Sequence, residues 1–206
     1  MTDELCLQAV PSVQDRVSVQ DRVVHEYWPT PAWCVHALLR ARDLIDVRYS
    51  VGHSWCEPCV GDGAIVRAVT SFVKRRATID WYTADIRDVP DPAPTTYGEH
   101  VSGFDFRSAF GPRRFDVVIT NPPFSLAREV AQWARPRAEA VALLQRVNWL
   151  GSKVRGSWWR QDMPDVYVME RRPSFCGGKT DGCEYAWFVW QGEPSRCGKI
   201  EVIECE

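Results

Sequence analysis

The residues able to do chemistry fall in four short stretches. Asn121-Pro-Pro-Phe124 directly follows an apolar run at 115–119. Its two prolines fix the backbone and remove two N–H donors, so the Asn121 amide oxygen and nearby carbonyls form a rigid set of acceptors. Acceptors of that kind suit an –NH2 donor, and Phe124 offers a ring for stacking on a planar group. Upstream, Glu57-Pro-Cys-Val-Gly-Asp-Gly63 carries glycines that permit a tight turn and let a ligand approach the backbone. It lacks the full G-x-G-x-x-G dinucleotide pattern and any G-K-[ST] phosphate loop. Asp85 stands where an acidic side chain accepts hydrogen bonds from both hydroxyls of a ribose, although a helix-cap or turn aspartate would look the same. Asp105-Phe106 adds a carboxylate able to accept from an exocyclic amine and a ring able to stack, in what is otherwise an ordinary loop.

Those residues need a scaffold that delivers them to one place. Thr30-Pro31 reads as a helix start, Thr as N-cap and Pro in the first turn, and apolar spacing predicts a helix over 31–45. Residues 53–57 read as a strand, 61–63 as a glycine turn and 64–73 as a helix. A second strand over 78–83 leads to Asp85 and a proline-rich loop at 89–94. Strands at 115–120 and 138–144 flank a helix at 125–134, and strands at 166–169, 185–190 and 199–203 follow. This alternation predicts a doubly wound α/β fold with a mainly parallel sheet of seven strands that finishes antiparallel. In such sheets ligands bind outside the carboxyl ends of the strands, which is where all four stretches fall.

With 206 residues, 45% of them hydrophobic and 25% charged, the chain is expected to form one domain over 25–206 after an N-terminal arm at 1–24. That arm holds the tandem hexamer SVQDRV at 12–17 and 18–23, too short to build a repeat fold. No apolar stretch is long enough for a membrane span and the N-terminus lacks signal-peptide features, so a cytoplasmic location without membrane partners is expected. The eight cysteines are scattered, which favours reduced thiols; Cys56 and Cys59 have metal-knuckle spacing, but no second such pair exists and no metal is expected. A net charge of −2 argues against a generally basic coat protein. Residues 128–179, however, hold ten Lys/Arg against five Asp/Glu, a local +5 that leaves −7 for the rest.

Taken in order, WPTP (28–31), EPCVGDG (57–63), Asp85, DF (105–106) and NPPF (121–124) resemble the class I S-adenosylmethionine-dependent methyltransferases that methylate planar amino nitrogens, especially the N6-adenine DNA methyltransferases. LLQRVNWLGSKVR, RRPSF and DGCEYAWFVW are similar to compact phage and mobile-element members of that group, so the likeness runs over 28–190. The resemblance implies a Rossmann-like methyltransferase sheet. It implies that Trp28, Thr30 and Pro31 touch the methionine end of S-adenosylmethionine, and that Glu57, Pro58, Cys59, Gly61 and Gly63 wrap it. Asp85 would hold the ribose, with Asp105 and Phe106 at the adenine. Asn121, which also borders the cofactor, and Pro122 would accept the protons of the target amine, with Pro123 fixing the loop and Phe124 stacking on the base. The transfer needs neither metal nor covalent intermediate.

A base inside duplex DNA reaches such a pocket only by flipping out. Lys153, Arg155, Trp158, Trp159, Arg160, Arg171 and Arg172 form a basic and aromatic cluster expected to hold phosphates and read flanks, although core packing is an equal reading for the tryptophans. No separate target-recognition domain is evident, which leaves 147–181 for that task. The expected activity is therefore N6-adenine methylation of DNA, with RNA adenine, DNA N4-cytosine and protein glutamine as alternative substrates. A catalytically silent binding subunit is a further alternative.

Overall fold

The computed structural model describes residues 26–42, 51–73, 78–93, 98–175 and 182–205. The SVQDRV repeat and the far end of the helix expected over 31–45 lie outside them. The chain folds as α1 (Ala32–Ala41), β1 (Val51–Glu57), α2 (Ala64–Val73), β2 (Thr78–Asp85), β3 (Glu99–Ser102), α3 (Phe106–Ala109), β4 (Phe115–Thr120), α4 (Ala127–Ala134), β5 (Ala138–Arg146), a 3-10 turn (Val147–Leu150), α5 (Lys153–Trp159), β6 (Asp165–Met169), β7 (Tyr185–Gln191) and β8 (Ile200–Ile203).

The eight strands of the described residues share one sheet in the order β3-β2-β1-β4-β5-β7-β6-β8. That is one strand more than the seven expected. The addition, β3, is four residues long at the edge, with no buried position and hence no apolar run to mark it. Strands β1 to β5 pair in parallel, β7 runs antiparallel against both β5 and β6, and β8 pairs in parallel with β6. The chain builds outward from β1 through β2 to β3, then returns to place β4 on the other side of β1. That reversal opens a crevice at the carboxyl ends of β1 and β4.

Two cores cover the two faces of the sheet. On one face α1 and α2 bury Cys34, Val35, Leu38, Ile65 and Val69 against Trp55, Val117, Ile119 and Leu144. On the other, α3, α4 and α5 bury Phe106, Val130, Ala131, Trp133 and Trp159 against Val118, Val141 and Leu143. β7 shows why an unbroken apolar run is a strand here: Tyr185, Trp187 and Val189 face the first core, while Ala186, Phe188 and Trp190 face the second. The indole N–H of Trp187 donates to the Cys34 carbonyl in α1 at 2.9 Å, a buried bond tying the antiparallel strand to that helix.

Trp187→Phe keeps a ring but removes that donor and leaves a small void. We expect a loss of about 1–2 kcal/mol, read as a lower urea midpoint at unchanged m-value. An unshifted midpoint would show that the bond contributes nothing.

Candidate cofactor and substrate cleft

Parallel pairing brings the ends of β1, β2 and β4 to one edge of the sheet, and with them Glu57, Asp85 and Asn121. A cleft lies there, with about 700 Å³ of space between its walls when its open mouth is counted in. Of the residues expected at the cofactor, Trp28, Thr30, Glu57, Pro58, Cys59, Gly61, Asp85, Asp105, Phe106 and Asn121 line it. Pro31 and Gly63 stand behind the lining. Pro31 caps α1, its carbonyl accepting from Cys34 N–H at 3.0 Å. Gly63 has φ +77 and abuts Pro92, so close that a Cβ would meet the proline ring at 2.3 Å. Pro123 also lines the cleft, whereas Pro122 is buried beside it.

The Asn121 amide has a defined orientation. Its Nδ2 donates to the Trp28 carbonyl at 2.9 Å and to Thr30 Oγ1 at 3.1 Å. A carbonyl only accepts, so the NH2 must face the 28–30 segment and Oδ1 is left to point away from it. Thr30 therefore does not cap α1 as the sequence led us to expect; its hydroxyl is committed to Asn121 instead.

The glycine turn is held by two bonds: Val60 N–H donates to the Ala84 carbonyl and Gly61 N–H to Asp85 Oδ2, both at 2.8 Å. Gly61 has φ +59, and the Tyr27 ring fills the space where its Cβ would be. Glu57, only 2% exposed, has Oε2 without a hydrogen-bond partner. Burial, and then the charges of Asp62 and Asp85, push its carboxyl well above the ordinary value of 4.5. Burial also pushes the Cys59 thiol up. Glu26, Tyr27, Val60, Asp62, Ile86, Arg87 and Leu126 line the cleft as well, and sequence reasoning missed them. Val60 and Asp62 had a signal in their place inside the 57–63 stretch, and Ile86 and Arg87 in theirs directly after Asp85.

Asp105 and Phe106 are more committed to the protein than expected. The Asp105 carboxylate caps α3, accepting from Arg107 N–H at 2.9 Å and Nη1 at 2.7 Å. The Phe106 ring stands edge-on to Trp133, centroids 5.6 Å apart, and is 5% exposed. Phe124 sits outside the cleft lining, half-buried, with the Arg146 guanidinium 4.6 Å from its ring centroid and Tyr185 at 6.1 Å.

The basic and aromatic cluster divides. Trp158 stacks on Trp159 at 4.7 Å and on Trp190 at 5.5 Å, and Trp159, 8% exposed, donates to the Leu150 carbonyl. Both rings pack into the face of the sheet, which is the core-packing one of the two readings the sequence left equal. Lys153 is exposed at the start of α5, and Arg155 donates to the Trp149 and Gly151 carbonyls. Arg160, with Arg196, lines a shallow hollow at the amino ends of the strands, the end opposite the cleft. Arg171 covers the Trp33 ring at 4.3 Å and Arg172 pairs with Glu184 at 2.6 Å. Within 147–181, α5 covers the sheet and β6 joins it, while 176–181 lie outside the described residues. Among the described residues no group of three or more His, Cys, Asp or Glu gathers to hold a metal ion. Nor is any helix there long and apolar enough to cross a membrane.

No family model and no curated protein matches the sequence. Solved structures do match in shape. The methyltransferase subunit of a type I restriction-modification system from Streptococcus thermophilus superposes with TM-score 0.61 at 10% identity, over 85% of this chain and 47% of its own. A protein from Listeria monocytogenes described as a class I S-adenosylmethionine-dependent methyltransferase gives 0.55 at 9%, over 83% and 62%. The type IIG restriction endonuclease BpuSI gives 0.52 at 12%, over 89% and 28%. The chain has the class I methyltransferase fold. It spans less than two thirds of each of these three proteins.

The buried Glu57 carboxyl has a stability consequence. Its folded value lies above its unfolded one, so its contribution is full below about 4.5 and is lost as pH rises toward the folded value. Glu57→Gln removes that dependence. We expect the variant to gain on the wild type by up to about 1.4 kcal/mol per pH unit above that point, seen as melting temperatures that diverge with pH. Parallel melting curves would overturn this.

Proposed function

We propose that this chain is an S-adenosylmethionine-dependent methyltransferase acting on the exocyclic N6 amine of adenine in DNA, the target base being flipped into the cleft. The observation that carries this is the Asn121 amide: its NH2 is tied down by Trp28 and Thr30, which leaves the oxygen as a fixed acceptor. A pre-oriented acceptor gains strength as an amine nitrogen becomes positive during alkylation, and needs no reorganisation at that moment. The Pro122 carbonyl is the second acceptor in this reading, and Phe124 the stacking surface.

The cleft suits a cationic nucleoside. Glu57, Asp62 and Asp85 line it, and the orphaned Glu57 Oε2 accepts from an ammonium group. Ile86, 60% exposed, is an apolar seat for a planar ring. When bound, S-adenosylmethionine supplies an electrophilic methyl on a sulfonium. The chain's own task is to hold the amine in line with that methyl and to accept the hydrogen bonds that strengthen as the nitrogen is alkylated. Asp105, already capping α3, gives the adenine end a carboxylate fixed in place. DNA is favoured by the excess of Lys and Arg over 128–179 and by the restriction-modification proteins among the structural neighbours. In this reading the 25–206 region is one methyltransferase domain, and Lys153, Arg155, Arg171 and Arg172 supply its phosphate contacts.

Incubation with radiolabelled S-adenosylmethionine and genomic DNA, total RNA or a protein lysate, followed by nucleoside and amino-acid analysis, tests the substrate. N6-methyladenine in DNA is expected; label in N4-methylcytosine, RNA or glutamine would overturn the substrate assignment. Asn121→Ala should lower turnover by about 10²–10³-fold with cofactor affinity, read by calorimetry, nearly unchanged. Retained turnover would show that the acceptor lies elsewhere.

A further inference from the structure

Asp85, the carboxylate that the reading above sets against the ribose diol, has both oxygens already engaged. Oδ1 accepts from the Arg87 backbone N–H and from Nε, each at 2.9 Å. Oδ2 accepts from Gly61 N–H at 2.8 Å and from Arg87 Nη2 at 3.1 Å. The pair is sheltered, with the Asp85 side chain 7% and that of Arg87 17% exposed. A neutral diol cannot share these oxygens with a guanidinium fork, because a charged donor outcompetes a hydroxyl for a carboxylate. For a ribose to bind, the fork must open and Arg87 must have another seat.

One support that does not depend on Asp85 is already in contact with it. The Arg87 guanidinium lies 4.2 Å from the centroid of the Tyr27 ring, within cation–π range. Tyr27 is itself fixed: its ring lies against Gly61, where any Cβ would come within 2.5 Å of it, and its hydroxyl bonds to Asp62. An opened Arg87 can thus stay over Tyr27 with the Asp62 carboxylate close by. We propose that Arg87 is a latch on the cleft, holding Asp85 in the free protein and yielding to a ligand that brings a ribose diol. This rests on the methyl-donor reading and adds an affinity-setting residue to it. The free protein then binds its nucleoside more weakly than the cleft allows, by the fraction of molecules in which the fork is open. Ligands without the hydroxyls do not compete for Asp85 and are indifferent to the latch.

Calorimetry of the full chain with S-adenosylhomocysteine tests this, comparing wild type with Arg87→Ala and Arg87→Gln. Gln keeps the bulk of the side chain, and melting curves establish that each variant is folded. Both variants should bind about tenfold more tightly than wild type, and the gain should vanish with the 2′,3′-dideoxy analogue. Binding by the variants alone would support the latch in its strongest form. Folded variants that bind S-adenosylhomocysteine no more tightly than wild type would overturn it and make Arg87 a support for the end of β2. Binding by none of the three would overturn the methyl-donor reading and the latch together.

Discussion

The parallel pairing of β1 with β4 is the constraint on which the rest depends. Trp55 opposite Val117 and Cys56 opposite Val118 place the ends of two strands from distant parts of the chain side by side. Glu57 and Asn121 lie just beyond those pairs. Because β2 extends the same ladder outward, Asp85 arrives at the same edge. A slip of one residue in that register would turn Val117 and Val118 to the wrong cores and remove Asn121 from Trp28 and Thr30. The register is therefore held by two apolar faces and read out by one amide.

Much of the fold was legible because period and punctuation agreed. β1, β2, β4, β5 and β7 carry apolar residues buried on both faces, and glycine or proline marks the turns after β1 and β4. β3 escaped because its four residues bury nothing and its pairing is supplied by β2. The residues of the cleft were legible as a set, from the rule that ligands bind at strand ends. Their bonding was not. Thr30 looks like a cap in sequence, yet a partner 91 residues away claims its hydroxyl. One-dimensional reading weighs only local competitors for a polar group, so it misassigns a group whenever a distant competitor wins.

The tryptophans show the same limit from the apolar side. Trp158 and Trp159 stand among arginines in sequence, which made them look like a nucleic-acid surface. In the fold they meet Trp149 and Trp190, and Trp149 in turn meets Phe188, so that rings from the end of β5 and from β7 build an aromatic layer over the sheet. The arginines around them point elsewhere, Arg155 to backbone carbonyls and Arg160 to the far end of the strands. Sequence adjacency to charge says little about which side of a helix a ring occupies.

The bond from Trp187 to Cys34 spans 153 residues, and Asn121 reaches back 93 to Trp28. During synthesis α1 must therefore wait for its partner strand β7 to leave the ribosome before that bond can form. Loop closure over such distances is slow, and the half-formed sheet exposes the apolar edge of β5 until β7 seals it. The same segment that orients Asn121 leads into α1, so the cleft acquires its final shape only once β7 is in place. Assembly of the site at one end of the sheet is thereby tied to the arrival of a strand that lines none of it.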